Sequence, residues 1–287
     1  MGSARQVTKT LGQTVLGAVL VVGAGSAWAG NIHRIVDFNN NISLSYVHSH
    51  VEYGERLSPP NGPYFDTESG FLNGGRVAFT AMGNAGGVHN IYLHGSYQQT
   101  TGDTAYVGGI QSKYGTTPLT QNDNARMSDY AVRIGQGVSL GSWSMLIPFL
   151  TYGHHQWLRG QLPTAFAPYD YQEEYRNDYA GFGITWQAMP NRHILTSLTA
   201  IYGRTVHPRM DAPALGFGEG LGPKPWMRAG FTVNYIFTRH EAVFAGVRFT
   251  KFQYGAGPAL VSGGSVLREP FSQTEITDYR IGVRFLV

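Results

Sequence analysis

The sequence predicts an all-β protein: a single transmembrane antiparallel up-and-down β-barrel of about ten strands, within a range of eight to twelve. Three observations carry that expectation. The 287 residues include 38 glycines and 13% aromatic but only 14% charged residues, whereas a soluble domain carries about 25% charged residues. Mean hydropathy is −0.18, so the chain is not apolar in blocks, as a helical membrane protein with runs of roughly 20 apolar residues would be. From residue 41 onward apolar residues alternate with small or polar ones, and short and long connections take turns.

The same arithmetic excludes several classes. There is no cysteine, which removes disulfide frameworks, thiolate metal sites, cysteine nucleophiles and a lipidated N-terminal cysteine. Abundant aromatics and a small net charge argue against disorder. Lys and Arg total 21 against 18 Asp and Glu, formally +3. That balance gives no electrostatic reason to expect nucleic acid.

The first element is a leader. Arg5 and Lys9 precede an apolar stretch centred on Val15–Val22, which closes on Ala27-Trp28-Ala29 before Gly30. A basic start, a short glycine-broken apolar core and a small-x-small site read as a cleavable secretory signal peptide over 1–29 rather than a membrane anchor. Its removal takes away two basic residues and leaves a mature net charge of +1. A short periplasmic N-terminal segment follows over 30–40, and the barrel occupies 41–287.

Ten strands are expected at about 42–56, 72–82, 88–104, 127–140, 143–158, 175–188, 193–206, 225–238, 241–255 and 275–287. Short gaps lie at Gly83–Gly87, Gly141-Ser142, Pro190–Arg192 and Arg239-His240. Long, proline-bearing gaps lie over 58–70, 106–126, 160–174, 207–224 and 257–274. This alternation matches short periplasmic turns and longer extracellular loops, and an even count places both termini on the periplasmic side.

Alternation within the strands separates two faces. In the last strand Tyr279, Ile281, Val283, Phe285 and Val287 oppose Arg280, Gly282 and Arg284. A soluble sandwich also alternates, but with so few charges it could not keep its outer faces wet. In a transmembrane barrel the apolar face meets lipid and the small polar face lines the lumen. Trp143 and Trp157 share one face of the fifth strand, fourteen residues apart. They are expected at opposite membrane interfaces, with Trp186 beside Trp143 on the periplasmic side. Pro148, in mid-strand, predicts a bulge or kink, and the first strand loses its phase near Val47-His48.

The leader, the ten alternating strands and the terminal Tyr279-x-Ile281-x-Val283-x-Phe285-x-Val287 together resemble small bacterial outer-membrane β-barrel proteins of the broad porin-like class. The resemblance spans the mature chain and is architectural. It implies residence in a Gram-negative outer membrane among lipid and lipopolysaccharide. It also implies that the barrel-assembly machinery reads the terminal strand, although Val287 stands where Phe or Trp is usual. Glu68-Ser69-Gly70 and Trp157-Leu158-Arg159 look like recurrent loop and rim elements of such proteins. A monomer is expected.

Two constellations could carry chemistry. The interior phase collects Arg76, Arg133, Arg228, Arg248, Arg280 and Arg284 with Asp129 and Asp278. A narrow barrel is filled by side chains, and buried charges must pair, so a plugged lumen with an Arg/acid network is expected, with Glu52 or Glu55 as further partners. An anion-preferring pore is the alternative. The extracellular end collects Glu52, Glu55, His154, His155, Glu173, Glu174, His207 and Asp211. Imidazole beside carboxylate can activate water, as in the omptin proteases, which also have ten strands. The close Asp-x-His pair of that family is lacking here, so a rim hydrolase is a second alternative. No metal and no cofactor are expected: His154 and His155 point to opposite faces of a strand. Asp66, Asp103 and Asp123 read as solvated loop acids. The expected role is structural or surface-interactive, through Gly-, Pro-, Asn-, Thr- and Tyr-rich loops.

Overall fold

A strand that turns an apolar face outward can satisfy its backbone only by pairing along both edges, and closure into a barrel does this for every strand. The computed structural model describes residues 31–56, 64–112, 115–160, 172–262 and 265–287, and they form such a closed sheet. Its ten long strands are β1 (Asn41–Arg56), β2 (Asp66–Ala85), β3 (Val88–Ser112), β4 (Gly115–Gln136), β5 (Ser144–Gly160), β6 (Gln172–Asn191), β7 (Ile194–Ala212), β8 (Pro225–Ile236), β9 (Glu241–Tyr254) and β10 (Phe271–Leu286). Each pairs antiparallel with its neighbours in sequence, and β1 pairs with β10 to close the ring. The leader expected over 1–29 lies outside the described residues, as does most of the 160–174 connection.

One end of the barrel turns tightly. Gly86 and Gly87 join β2 to β3 at φ +58° and +81°, the mirror-image turn that matches the twist of a hairpin. The other end departs from expectation. Residues 106–112 and 115–126 are paired strand: β3 and β4 run 25 and 22 residues and stay in register out to Ser112↔Gly115. At roughly 3.3 Å per residue β3 is about 80 Å long, far beyond about 30 Å of hydrocarbon. Its Thr, Gly, Asp and Gln residues look like loop in sequence, yet they pair through the backbone. β2 likewise begins at Asp66, inside the gap expected over 58–70. β7 continues to Ala212, and short strands Phe217–Gly220, Leu260–Ser262 and Ser265–Leu267 lie within the gaps expected over 207–224 and 257–274.

The outer wall has two zones. Near the tight turns it is apolar, with Leu44, Val77, Ile134, Leu150, Phe182, Phe231, Ile281 and Val283 all exposed. A row of exposed tyrosines ends this belt. Tyr46, Tyr97, Tyr130, Tyr152, Tyr202 and Tyr279 are each followed, two residues further up the outer face, by His48, Gln99, Ser128, His154, Arg204 and Thr277. So large an exposed apolar surface would drive a water-soluble monomer to associate, whereas a bilayer covers it. Inside, the polarity runs the other way. The lower lumen holds arginines and hydroxyls, and the upper lumen holds Tyr53, Trp157, Tyr175, Phe252 and Tyr254, all buried.

That reversal corrects the placement of Trp157. It faces the lumen at 1% exposure, edge-on to Tyr53 with ring centroids 5.1 Å apart, and the tyrosine row stands where an interface tryptophan was expected. Trp143, in the turn before β5, and Trp186, on the outer face of β6, are half-buried near the tight-turn end. β1 does not lose its phase, since odd-numbered residues face inward from Asn41 to Glu55. Pro148 makes no bulge. β4–β5 pairing stops at Gly135↔Phe149 and resumes in the same register at Val138↔Leu146. A gap in the ladder accommodates the missing N–H.

Of the short periplasmic segment expected over 30–40, the described residues 31–40 enter the barrel mouth. Helix α1 (Asn31–Phe38) inserts Ile35 and Phe38 into a cluster with Met82, Met145, Met189 and Leu195 at the tight-turn mouth. Asn39 and Gln187 exchange side-chain hydrogen bonds of 2.7 and 3.1 Å, and Asn31 Nδ2 donates to the Met189 carbonyl at 3.0 Å. These bonds hold the helix at the tight-turn mouth.

Candidate functional site

The lumen above α1 is built in three layers. All eight residues of the expected interior network (Arg76, Asp129, Arg133, Arg228, Arg248, Asp278, Arg280 and Arg284) project inward, because the period-two pattern of β2, β4, β8, β9 and β10 puts them on one face. They do not form one network.

The middle layer holds the ion pairs. Arg228 reaches across the lumen from β8 to Asp129 on β4, with Nη2–Oδ2 3.0 Å and Nη1–Oδ1 3.3 Å, a two-pronged contact. Arg228 also lies over Trp226, which stacks on Tyr179 with centroids 4.2 Å apart. Arg248 Nε donates to Asp278 at 2.7 Å and its Nη2 to Gln98 at 2.7 Å, while Ser49 Oγ donates to Asp278 at 2.6 Å. Six strands are thereby tied across the barrel. Only about 20 Å³ of space remains between these groups. The lower layer holds Arg76, Arg133, Arg280 and Arg284, for which no carboxylate partner occurs among the described residues. Glu52 and Glu55 do not supply one. Glu52 lies on the outer face, and Glu55 faces the upper chamber.

The upper layer was not foreseen as a unit. At its centre is Arg159, on β5 beside Trp157. Its guanidinium binds Glu55 at 2.9 Å, Glu68 at 2.8 Å and Glu173 at 2.7 Å. The same group lies 4.4 Å from the ring centre of Tyr53 and 5.1 Å from that of Tyr175. Tyr53 donates to Glu55 at 2.7 Å and Tyr175 to Glu269 at 2.6 Å. Thr104 donates to the second oxygen of Glu68. Asp66 and Asp123, expected as solvated loop acids, are buried here at 7% and 5% exposure. The sequence signal was the alternation continuing inward past the membrane level through Trp157-x-Arg159 and Glu173-x-Tyr175. It was hidden because these stretches resemble loop edges.

The expected extracellular cluster therefore divides. Glu55 and Glu173 enter the chamber, and His155 faces the lumen lower down, with Nδ1 4.0 Å from Asp129. Glu52, His154, Glu174, His207 and Asp211 lie on the outer wall. There His154 binds Asp178 at 2.8 Å, and Asp211 binds Arg176 at 2.8 Å and Arg209 at 2.7 Å. His207, at φ +47°, opens a bulge opposite Asn177. Beyond it the phase of β7 flips, which turns Met210 inward and Asp211 outward.

Four glutamates around one arginine leave the chamber with excess acid. Burial pushes the Glu55 carboxyl up to about 7, and burial with the neighbouring Glu55 and Glu173 charges holds Glu269 well above the usual carboxylate range. Between the ordinary value near 4.5 and about 7 the folded chain retains a proton at Glu55 that the unfolded chain has lost, so stability falls as pH rises through that window. Denaturant unfolding in detergent micelles is expected to show a higher midpoint at pH 5 than at pH 8. Glu55→Gln should flatten that difference, and a midpoint that instead rises with pH would contradict the arrangement.

No protein-family model matches the chain, and no curated protein sequence matches it. Among solved structures, the outer membrane protease OmpT from Escherichia coli is similar at a TM-score of 0.52 and 9% identity, over 87% of this chain and 97% of that one. The attachment invasion locus protein Ail of Yersinia pestis matches at a TM-score of 0.32 and 10% identity, over 86% and 98%. The β domain of the Bordetella autotransporter BrkA matches at 0.40 and 10%, over 84% and 98%. The class is thus that of closed β-barrel proteins, and this chain resembles outer-membrane barrels in its fold. At such identities the likeness extends to fold alone.

Proposed function

We propose that the protein is exported through its leader to the bacterial outer membrane and resides there as a sealed barrel, with a structural or surface-interactive role. The observation that carries this reading is that the lumen is crossed twice, by the α1 stopper and by the Asp129–Arg228 and Arg248–Asp278 layer. Charged pairs tied across a narrow interior support a lumen closed to continuous water. Beyond the tyrosine row the polar collar and the long β3–β4 hairpin are the parts available to other molecules.

Purified protein in planar bilayers is expected to give no steady current. A steady anion-selective conductance, lost on Arg133→Ala or Arg228→Ala, would replace the sealed barrel with a pore. Tags inserted near residues 115 and 215 should be reached by antibody on intact cells, and failure to label would reverse the orientation. A hydrolytic rim is disfavoured by the geometry. Glu55, Glu68 and Glu173 all engage Arg159 inside the chamber, while His154, paired with Asp178 at 2.8 Å, lies on the outer wall, so that imidazole and the chamber acids do not share a face.

A further inference from the structure

Between α1 and the ion-pair layer the lumen widens into a cavity of about 100 Å³. Six arginines line it, and no aspartate or glutamate among the described residues does. Arg228 and Arg248 are matched by Asp129 and Asp278 at the edge of the layer above. The remaining four make no ion pair among the described residues, although Arg280 feels the charge of Asp278, two residues along β10. Arg76 Nη2 is 3.1 Å from His94 Nε2. Arg284 donates to Asn234 at 2.8 Å and to Asn41 at 3.1 Å, and lies over Phe244. Arg133 lies over the Phe149 ring, 5.0 Å from its centre. The Nε–H groups of Arg76, Arg133 and Arg280 are buried and have no acceptor among the described residues.

Four guanidinium charges gathered in one enclosed space repel each other and are costly to hold away from bulk water. Water can occupy their hydrogen bonds but cannot cancel their charge. An anion does both. Forked N–H donors from β2, β4 and β10, with Thr80, Thr199 and Thr232 lining the same cavity, suit a ligand with several acceptor oxygens better than a single sphere. We propose that this cavity binds one small inorganic oxyanion of the phosphate or sulfate class, held between the stopper helix and the ion pairs. The proposal needs only the cavity, so a conductance result does not decide it.

The test is to fold the protein into detergent micelles in low-salt zwitterionic buffer and measure uptake of radiolabelled inorganic phosphate by equilibrium dialysis, alongside thermal unfolding. Folding with phosphate present avoids slow entry into a closed site. About one phosphate per chain, displaced by sulfate but not by equimolar chloride, is expected. Arg133→Gln with Arg280→Gln should weaken uptake at least 100-fold. The stabilities should also cross over. Without oxyanion the variant, relieved of repulsion, is expected to be at least as stable as the wild type, and with phosphate the wild type becomes the more stable. Absence of uptake by folded wild type overturns the proposal even if the variant fails to fold. Binding of chloride alone, or undiminished uptake by a folded variant, also overturns it.

Discussion

Arg159→Met is expected to destabilise the barrel by about 3–5 kcal/mol, the range for removing one partner of a buried ion pair. Methionine keeps much of the aliphatic stem and its contact with Trp157, so the loss isolates the charge. Glu55, Glu68 and Glu173 would be left converging on a space with no cation, each largely buried. Some of the cost is recovered by taking up protons, so the defect should shrink toward pH 5. Arg159→Lys should fall between, because one ammonium cannot present the forked donors that reach three carboxylates from three strands. Guanidinium unfolding in micelles, followed through the fluorescence of Trp157 and its neighbours, measures the effect. A change below about 1 kcal/mol, the level of an exposed pair, would show that the chamber is solvated and the arginine dispensable.

The second large effect concerns closure. Ile35→Asp places a carboxylate among Met82, Met145, Met189 and Leu195, where burying an unpaired charge is prohibitive, so the helix is expected to leave the mouth. Bilayer current should still be absent, because the ion-pair layer lies above. Replacing Asp129, Arg228, Asp278 and Arg248 together by alanine removes both members of each pair and leaves no orphan charge. With that change alone the stopper should still close the barrel. Only the combination is expected to conduct steadily. Conductance from Ile35→Asp by itself would show that the middle layer does not seal, and silence of the combined variant would mean that other lumen groups carry the closure.

Much of the barrel was legible because period two is a local property. The alternation in β10 places Tyr279, Ile281, Val283 and Phe285 on the exposed face, all at more than a third exposure, and the same logic sends all six arginines inward. Trp157 is not placed by its alternation because β5 is apolar on both faces: Met145, Ile147 and Phe149 are buried on its own face, while Leu150 and Tyr152 are exposed on the other. Above the tyrosine row the interior collects aromatics, while the outer wall is mostly polar but still exposes Phe71 and Val107, so an apolar residue there does not by itself mark one face. Asp66, Asp123 and the 106–126 stretch were read as loop for a related reason. Hairpins that project past the membrane are held by backbone pairing and need no apolar face to announce them.

Strand periodicity, the tight turns and the segregation of basic residues to one face follow from the chain alone, since each depends on neighbours two residues away. Which arginine meets which acid depends on strands far apart in sequence, as with Arg159 and Glu55, 104 residues apart, and on the register in which the ring closes. The tertiary structure therefore decided that Asp129 and Asp278 serve only two of the six lumen arginines. It also gathered the chamber acids around Arg159, and left the other four guanidinium groups facing one another across a cavity that their own charge makes suited to an anion.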